Sequence, residues 1–113
     1  MNKRIIIFIS TLFIGSLTLA DMVDYQGDAN KGQQLSVQCS QCHGANGITS
    51  HGMHPNLAGQ NPVYLIVQLN AFKNDTRIGH HMNDVAKNLS DEDIKDLAAY
   101  YSQINICEWT FGS

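Results

Sequence analysis

The chain has 113 residues, of which 43% are hydrophobic, 15% charged and only two are proline; this is the composition of a folded globular protein and excludes disorder and collagen-like repeats. A chain of this length has room for one small core, which rules out two-domain enzyme architectures. Residues 1–20 hold two of the seven Lys and Arg and none of the ten Asp and Glu, so the remainder has five basic residues against ten acidic, a formal balance of −5 that disfavours a nucleic-acid partner.

Lys3 and Arg4 precede an apolar run from Ile5 to about Leu17, closed by Thr18-Leu19-Ala20. A charged start, an apolar stretch and a small residue at its end predict a secretory signal peptide over residues 1–20, with the mature chain beginning at Asp21. The run, roughly 13 residues, is shorter than the ~20 a transmembrane helix needs; an uncleaved N-terminal anchor is the other reading of the very apolar Ile5-Ile6-Ile7-Phe8-Ile9. No Cys follows the cleavage position, so lipidation there is not expected. The mature chain hides only about 60–65% of its unfolded surface and is marginal alone, so a metal, disulfides or a buried cofactor is expected to hold it together.

Asp28 is placed to cap a helix that runs through Ala29, Gly32, Leu35 and Val37. Gly32 inside it costs about 1 kcal/mol of propensity, which points to a close approach by another element. The helix leads to Cys39-Ser40-Gln41-Cys42-His43, the C-x-x-C-H pattern of covalent haem attachment. On a helical turn, residues three apart share a face, so both sulfurs can add to the two vinyl groups along one haem edge, and His43 can reach the iron. Three other readings exist for the same residues. A thioredoxin-like pair needs a βαβ context. A zinc site would use Cys39, Cys42, His51 and His54, with a loop shorter than common zinc spacings. A structural Cys39–Cys42 disulfide would leave His43 without a role.

Residues 44–59, rich in Gly, Asn, Ser and His, read as a loop wrapped round one side of the cofactor. Asn61-Pro62 opens a second helix with a cap and a first-turn proline, and Tyr64, Leu65, Leu69 and Phe72 form its expected inward stripe. A polar loop is expected over residues 73–81. Ser90, with Asp93 three residues on, starts the last helix in the manner of a capping box; Ile94, Leu97, Ala98 and Tyr101 form its buried face, with Tyr100 beside them. No segment alternates as a strand, so the expected fold is all-α, with three main helices and loops around one haem.

The chain resembles the class I c-type cytochromes, of the small bacterial periplasmic monohaem kind. Beyond Cys39–His43 the likeness rests on Gly44 and Gly47 in C-H-G-x-x-G, on Pro55-Asn56-Leu57-Ala58-Gly59-Gln60, on Tyr64-Leu65 through Leu69 to Phe72, and on Leu89-Ser90-Asp91 through Leu97-Ala98-Ala99-Tyr100-Tyr101. It spans nearly everything from Gly27 to Ser102. It implies haem c bound through Cys39 and Cys42, His43 as proximal iron ligand, and the Pro55 carbonyl as acceptor of the other ring N–H of that histidine. It further implies Gly32 as the glycine that lets the first and last helices cross against an aromatic, here Tyr100, and Met82, seven residues before Leu89, as the distal ligand. The domains implied are a signal peptide at 1–20, a cytochrome domain at 21–105 and a tail at 106–113.

Met82 decides between electron transfer and reaction at iron, because a thioether favours ferrous iron and leaves no open coordination position. His80 and His81 are its competitors and otherwise read as surface imidazoles; His51 and His54 stand in the other loop, and Met53 there reads as loop packing. Lys73 and Arg77 are candidates for pairing with haem propionates or for plain surface charge. The leading function is a non-enzymatic one-electron carrier in the periplasm, exchanging electrons with a redox donor and acceptor such as respiratory complexes or dehydrogenases, with docking at the membrane surface as an option. The uncharged Ser40, Gln41, Ala45, Asn46 and Ile48 would make that docking depend on shape and apolar contact. The alternatives are a cytochrome subunit of a larger oxidoreductase, or a peroxidase or gas-binding haem protein should Met82 not ligate. The apolar Ile106-Cys107-Glu108-Trp109-Thr110-Phe111 either packs back on the domain or meets a partner, with a disulfide through Cys107 as the sharper form.

Overall fold

The computed structural model describes residues 25–107; the signal peptide expected at 1–20 and most of the expected tail lie outside them. Four helices follow one another: α1 (Ala29–His43), α2 (Pro62–Lys73), α3 (Met82–Lys87) and α4 (Asp91–Ser102). Among the described residues there is no strand, and no helix is long and apolar enough to cross a membrane. The fold is the expected all-α one, with the six-residue α3 in addition.

Each long helix starts where its sequence has a cap. The Asp28 carboxylate accepts from the N–H groups of Asn30 and Lys31, and Asn61 Oδ1 accepts from Tyr64 N–H at 3.1 Å, with Pro62 in the first turn. At α4, Ser90 Oγ accepts from Asp93 N–H at 3.0 Å while the Asp93 carboxylate accepts from Ser90 N–H at 2.8 Å, so two otherwise unpaired donors are satisfied reciprocally.

Helix α1 packs on α4, and α2 packs on both α4 and α3. The α1–α4 crossing is closest at Gly32. A Cβ there would overlap the backbone carbonyl of Asp96 and stand 2.8 Å from Cβ of Tyr100, so backbone meets backbone where any side chain would hold the helices apart. The start of α1 is fixed to the same turn of α4, since the buried Asp96 carboxylate accepts from Asp28 N–H at 2.7 Å. Leu65, Ile66, Leu89, Ile94, Leu97, Ala98 and Tyr101 make the apolar core between the helices.

Two details differ from the sequence reading. Tyr64, expected inward, is about half exposed although it lines one cavity with Leu65, Leu69 and Phe72, and Ile66, outside the expected stripe, is buried as well. Lys73 belongs to the end of α2 rather than to the loop, and its ammonium pairs with Asp91 at 2.8 Å.

Gly32→Ala should destabilise the protein by about 2 kcal/mol or more, because the added methyl meets backbone that cannot rotate away; this outweighs the roughly 1 kcal/mol of helix propensity gained. A thermal melt unchanged or raised by the substitution would contradict the close crossing. The hydrogen bond from Ser90 N–H, and then that from its hydroxyl, hold the Asp93 carboxyl below its usual range. A carboxylate with a depressed folded value contributes stability above its unfolded value, near 4, and loses it as pH falls through the folded value. Asp93→Asn should therefore melt below the wild type at neutral pH, with the difference closing below about pH 4; a gap that stays constant down to pH 2 would refute this.

Candidate functional site

The last turn of α1 brings three candidate residues together. Cys39 and Cys42 lie three apart on the helix, and His43 is its final residue. Gly44 ends the helix at φ 85°, its N–H donating to Ser40 O at 3.0 Å, and a Cβ there would overlap the carbonyl of Ile48. The positive φ and that close approach require glycine immediately after the histidine. The following loop folds back on itself as the N–H groups of Leu57 and Ala58 donate to Gly47 O at 2.7 and 3.1 Å, and Gly59 N–H donates to Tyr101 O at 2.8 Å.

This fold-back places Pro55 against His43. The Pro55 carbonyl lies 2.8 Å from Nδ1 of the buried His43, in a part-buried setting. A carbonyl oxygen can only accept, so Nδ1 carries the proton, and the neutral ring keeps its lone pair on Nε2. The imidazole is thus fixed in orientation and tautomer with one nitrogen available to a metal. The ring of His54 stands edge-on to His43 at a centroid distance of 5.8 Å, and its Nδ1 is buried without a hydrogen-bond partner.

Cys39, Cys42, His43, Pro55 and Met82 all line one cavity of about 540 Å³, within the roughly 300–1,000 Å³ usual for small-molecule and cofactor sites. Leu65, Leu97 and Tyr101 give it a floor shared with the apolar core. Met82 arrives from the first position of α3, half-buried. Burial, more than anything else, pushes up the Cys39 thiol and the Tyr101 phenol. Cys39 and Cys42 are not bonded to each other in the structure. Among the described residues no three of His, Cys, Asp and Glu gather in a way that could hold a metal ion; the zinc set of Cys39, Cys42, His51 and His54 is not assembled. The site has the shape and the donor types for a flat apolar cofactor with a metal at its centre.

A model of the family described as cytochrome c matches residues 29–105. The chain belongs to the cytochrome c family. Its cofactor is accordingly haem c, for which Cys39 and Cys42, followed by His43, occupy the attachment position. Cytochrome c4 of Pseudomonas aeruginosa is 37% identical over 102 residues, covering 90% of this chain and 48% of that protein. Cytochrome c-554(548) of Halomonas halodenitrificans is 42% identical over 79 residues, covering 67% of this chain and 95% of its own length. Among solved structures, reduced recombinant cytochrome c4 from Pseudomonas stutzeri superposes with a TM-score of 0.67 at 35% identity, over 71% of this chain and 47% of that one. The chain spans about half the length of the cytochrome c4 relatives it matches.

Of the remaining candidates, Met53, His80, His81 and Arg77 line the same cavity, and Lys73 and Cys107 do not. Met53, read as loop packing, is 87% exposed and lines the same cavity from the 44–59 loop. His80 and His81, the competitors of Met82, are exposed and line the cavity beside it. Lys73 is committed to Asp91, whereas Arg77 lines the cavity, donates to Gln68 Oε1 and lies 4.5 Å over the Phe72 ring. Cys107 is exposed, with its N–H donating to Asn105 Oδ1 at 2.9 Å. Two residues that sequence reasoning passed over are the buried polar Asn83 and Asp96; their only signal in the sequence is their helical phase beside apolar neighbours.

Replacing Cys39 and Cys42 together by Ala should leave no haem on the polypeptide in a denaturing gel, since no other side chain of the cavity supplies a thiol. Haem stain persisting on the double variant would place the attachment elsewhere.

Proposed function

We propose that the protein is a one-electron carrier in which His43 and Met82 ligate the haem iron from its two sides. The observation that carries this reading is the convergence of Cys39, Cys42, His43 and Met82, from two separate helices, on one mainly apolar cavity. Bound haem supplies reversible one-electron chemistry at its iron. The polypeptide contributes a proximal imidazole held by the Pro55 carbonyl and a distal thioether, a soft neutral donor that favours the ferrous state. With His43 and Met82 both holding the iron, small oxidants and gases would have no position to enter, which supports a carrier over an enzyme or a gas-binding protein.

In the same reading, residues 1–20 direct export, residues 21–105 form the cytochrome domain that works in the periplasm, and residues 106–113 are a tail. The partners are redox proteins, a donor and an acceptor. They would dock on the exposed rim beside the attachment helix, where Gln41, Ala45 and Ile48 are exposed and Ser40 is half-exposed. No charge stands among them, so docking there rests on shape and apolar contact, with little dependence on salt. The tail beginning at Ile106, with exposed Cys107, is a further place for partner contact.

The ferric protein should show the weak far-red absorption of sulfur bound to ferric iron. Met82→Ala should abolish that band and let carbon monoxide bind the reduced protein, which the wild type resists. Survival of the band in Met82→Ala would remove Met82 from the iron, and ready binding of carbon monoxide by the wild type would favour an open distal site instead.

A further inference from the structure

Asn83, next to Met82, is 8% exposed, and its carboxamide engages four groups. Its Oδ1 accepts from Gly79 N–H at 2.9 Å. Its Nδ2 donates to Phe72 O at 2.9 Å, to Arg77 O at 2.9 Å and to the Asp75 carboxylate at 3.0 Å. Two N–H groups serve three acceptors, so one bond is shared, and the polar group is satisfied despite its burial.

All four partners lie between residues 72 and 79, the chain reversal that joins α2 to α3. This reversal has little apolar support of its own: residues 74–78 are exposed, Ile78 at 80%. Asp75 sits at φ 57°, a left-handed conformation unfavourable for a residue with a side chain. Its carboxylate meets both Asn83 and, at 3.3 Å, Lys87 Nζ, the two contacts coming from α3. Met82 N–H donates to Gly79 O at 2.7 Å, so the residue bonded to Asn83 through its N–H is bonded to Met82 through its carbonyl. The reversal and the first turn of α3 are thus one hydrogen-bonded unit with Asn83 at its centre.

We propose that Asn83 is the positioning residue for the distal ligand, holding the 72–79 reversal closed so that Met82 stays in the cavity. The proposal rests on Met82 being that ligand. A thioether is a weak donor to ferric iron, so the time Met82 spends away from the metal is set by how readily this unit opens. A competing ligand binds with an apparent affinity proportional to the open fraction.

Imidazole titration of the ferric holoprotein, followed by loss of the far-red sulfur band, reads that fraction. Asn83→Ala should bind imidazole at least tenfold more tightly than the wild type, at a temperature where the two have the same far-ultraviolet circular dichroism. Asn83→Asp should do the same, because it keeps the acceptor for Gly79 but turns a carboxylate toward two carbonyls and Asp75. Asn88→Ala, which removes an exposed bond from the residue after the same helix to Asp84 O, should leave the affinity unchanged. A purely structural role would lower the melting temperature of Asn83→Ala without moving its imidazole affinity, and that result overturns the proposal. A wild type without the sulfur band instead defeats Met82 as ligand, and the proposal with it. Should Asn83→Ala not accumulate as holoprotein, hydrogen exchange in the wild type decides: the Gly79 amide should be protected and released over the imidazole range that displaces sulfur, and free exchange with the band intact overturns the assignment.

Discussion

Placement of the attachment residues depends on how closely α1 and α4 cross. At Gly32 the backbone of one helix lies against the Asp96 carbonyl of the other, and one turn earlier Asp96 also receives the N–H of Asp28. These contacts fix both the position of α1 and its start. Because a helix is stiff over a few turns, they also determine where its last turn, with Cys39, Cys42 and His43, emerges. Gly44 then forces the chain away within one residue, and the loop returns to deliver the Pro55 carbonyl to His43. A contact far from the cofactor thus acts on its orientation through rigid elements.

The cavity and the apolar core are not separate parts. Leu65, Leu89, Leu97 and Tyr101 belong to both, so in a chain this small the same side chains turn one surface to each other and another to the cofactor. A domain of this size has too little apolar surface of its own for generous stability, and a flat apolar ligand tethered at Cys39 and Cys42 would add the missing face. Covalent attachment complements such a shallow core, since the cofactor cannot leave when the surrounding loops open.

Local signals were readable in the sequence and shared surfaces were not. Asp28, Asn61-Pro62 and Ser90 with Asp93 announce helix starts because a cap acts on donors two or three residues away. The C-x-x-C-H run announces attachment for a similar reason, its geometry being set by one helical turn. Helix α3 was missed because six residues are too few for a 3.6-residue period to show. The stripe on α2 was drawn through Tyr64 and missed Ile66 because this helix is apolar on the side facing the core and on the side facing the cavity, so its pattern does not single out one direction. Asn83 looks like a solvated loop residue and Asp96 like a solvated helix position; only the folded chain shows that their partners, at Gly79 and Asp28, lie within reach.

On the two sides of the cavity, the candidate ligands are secured by different kinds of group. His43 is oriented by a backbone carbonyl, which no substitution of the side chain at position 55 can delete; replacing the proline can move that carbonyl only by letting the loop move. The segment preceding Met82 is held chiefly by one side-chain amide, together with the backbone bond to Gly79 and the Lys87–Asp75 pair. A single base change in the codon for Asn83 can weaken the distal side, whereas the proximal side requires a change in loop path. Variation in ligand lability among chains of this architecture should therefore arise mainly on the methionine side, where one carboxamide links the whole chain reversal to the helix that presents the sulfur.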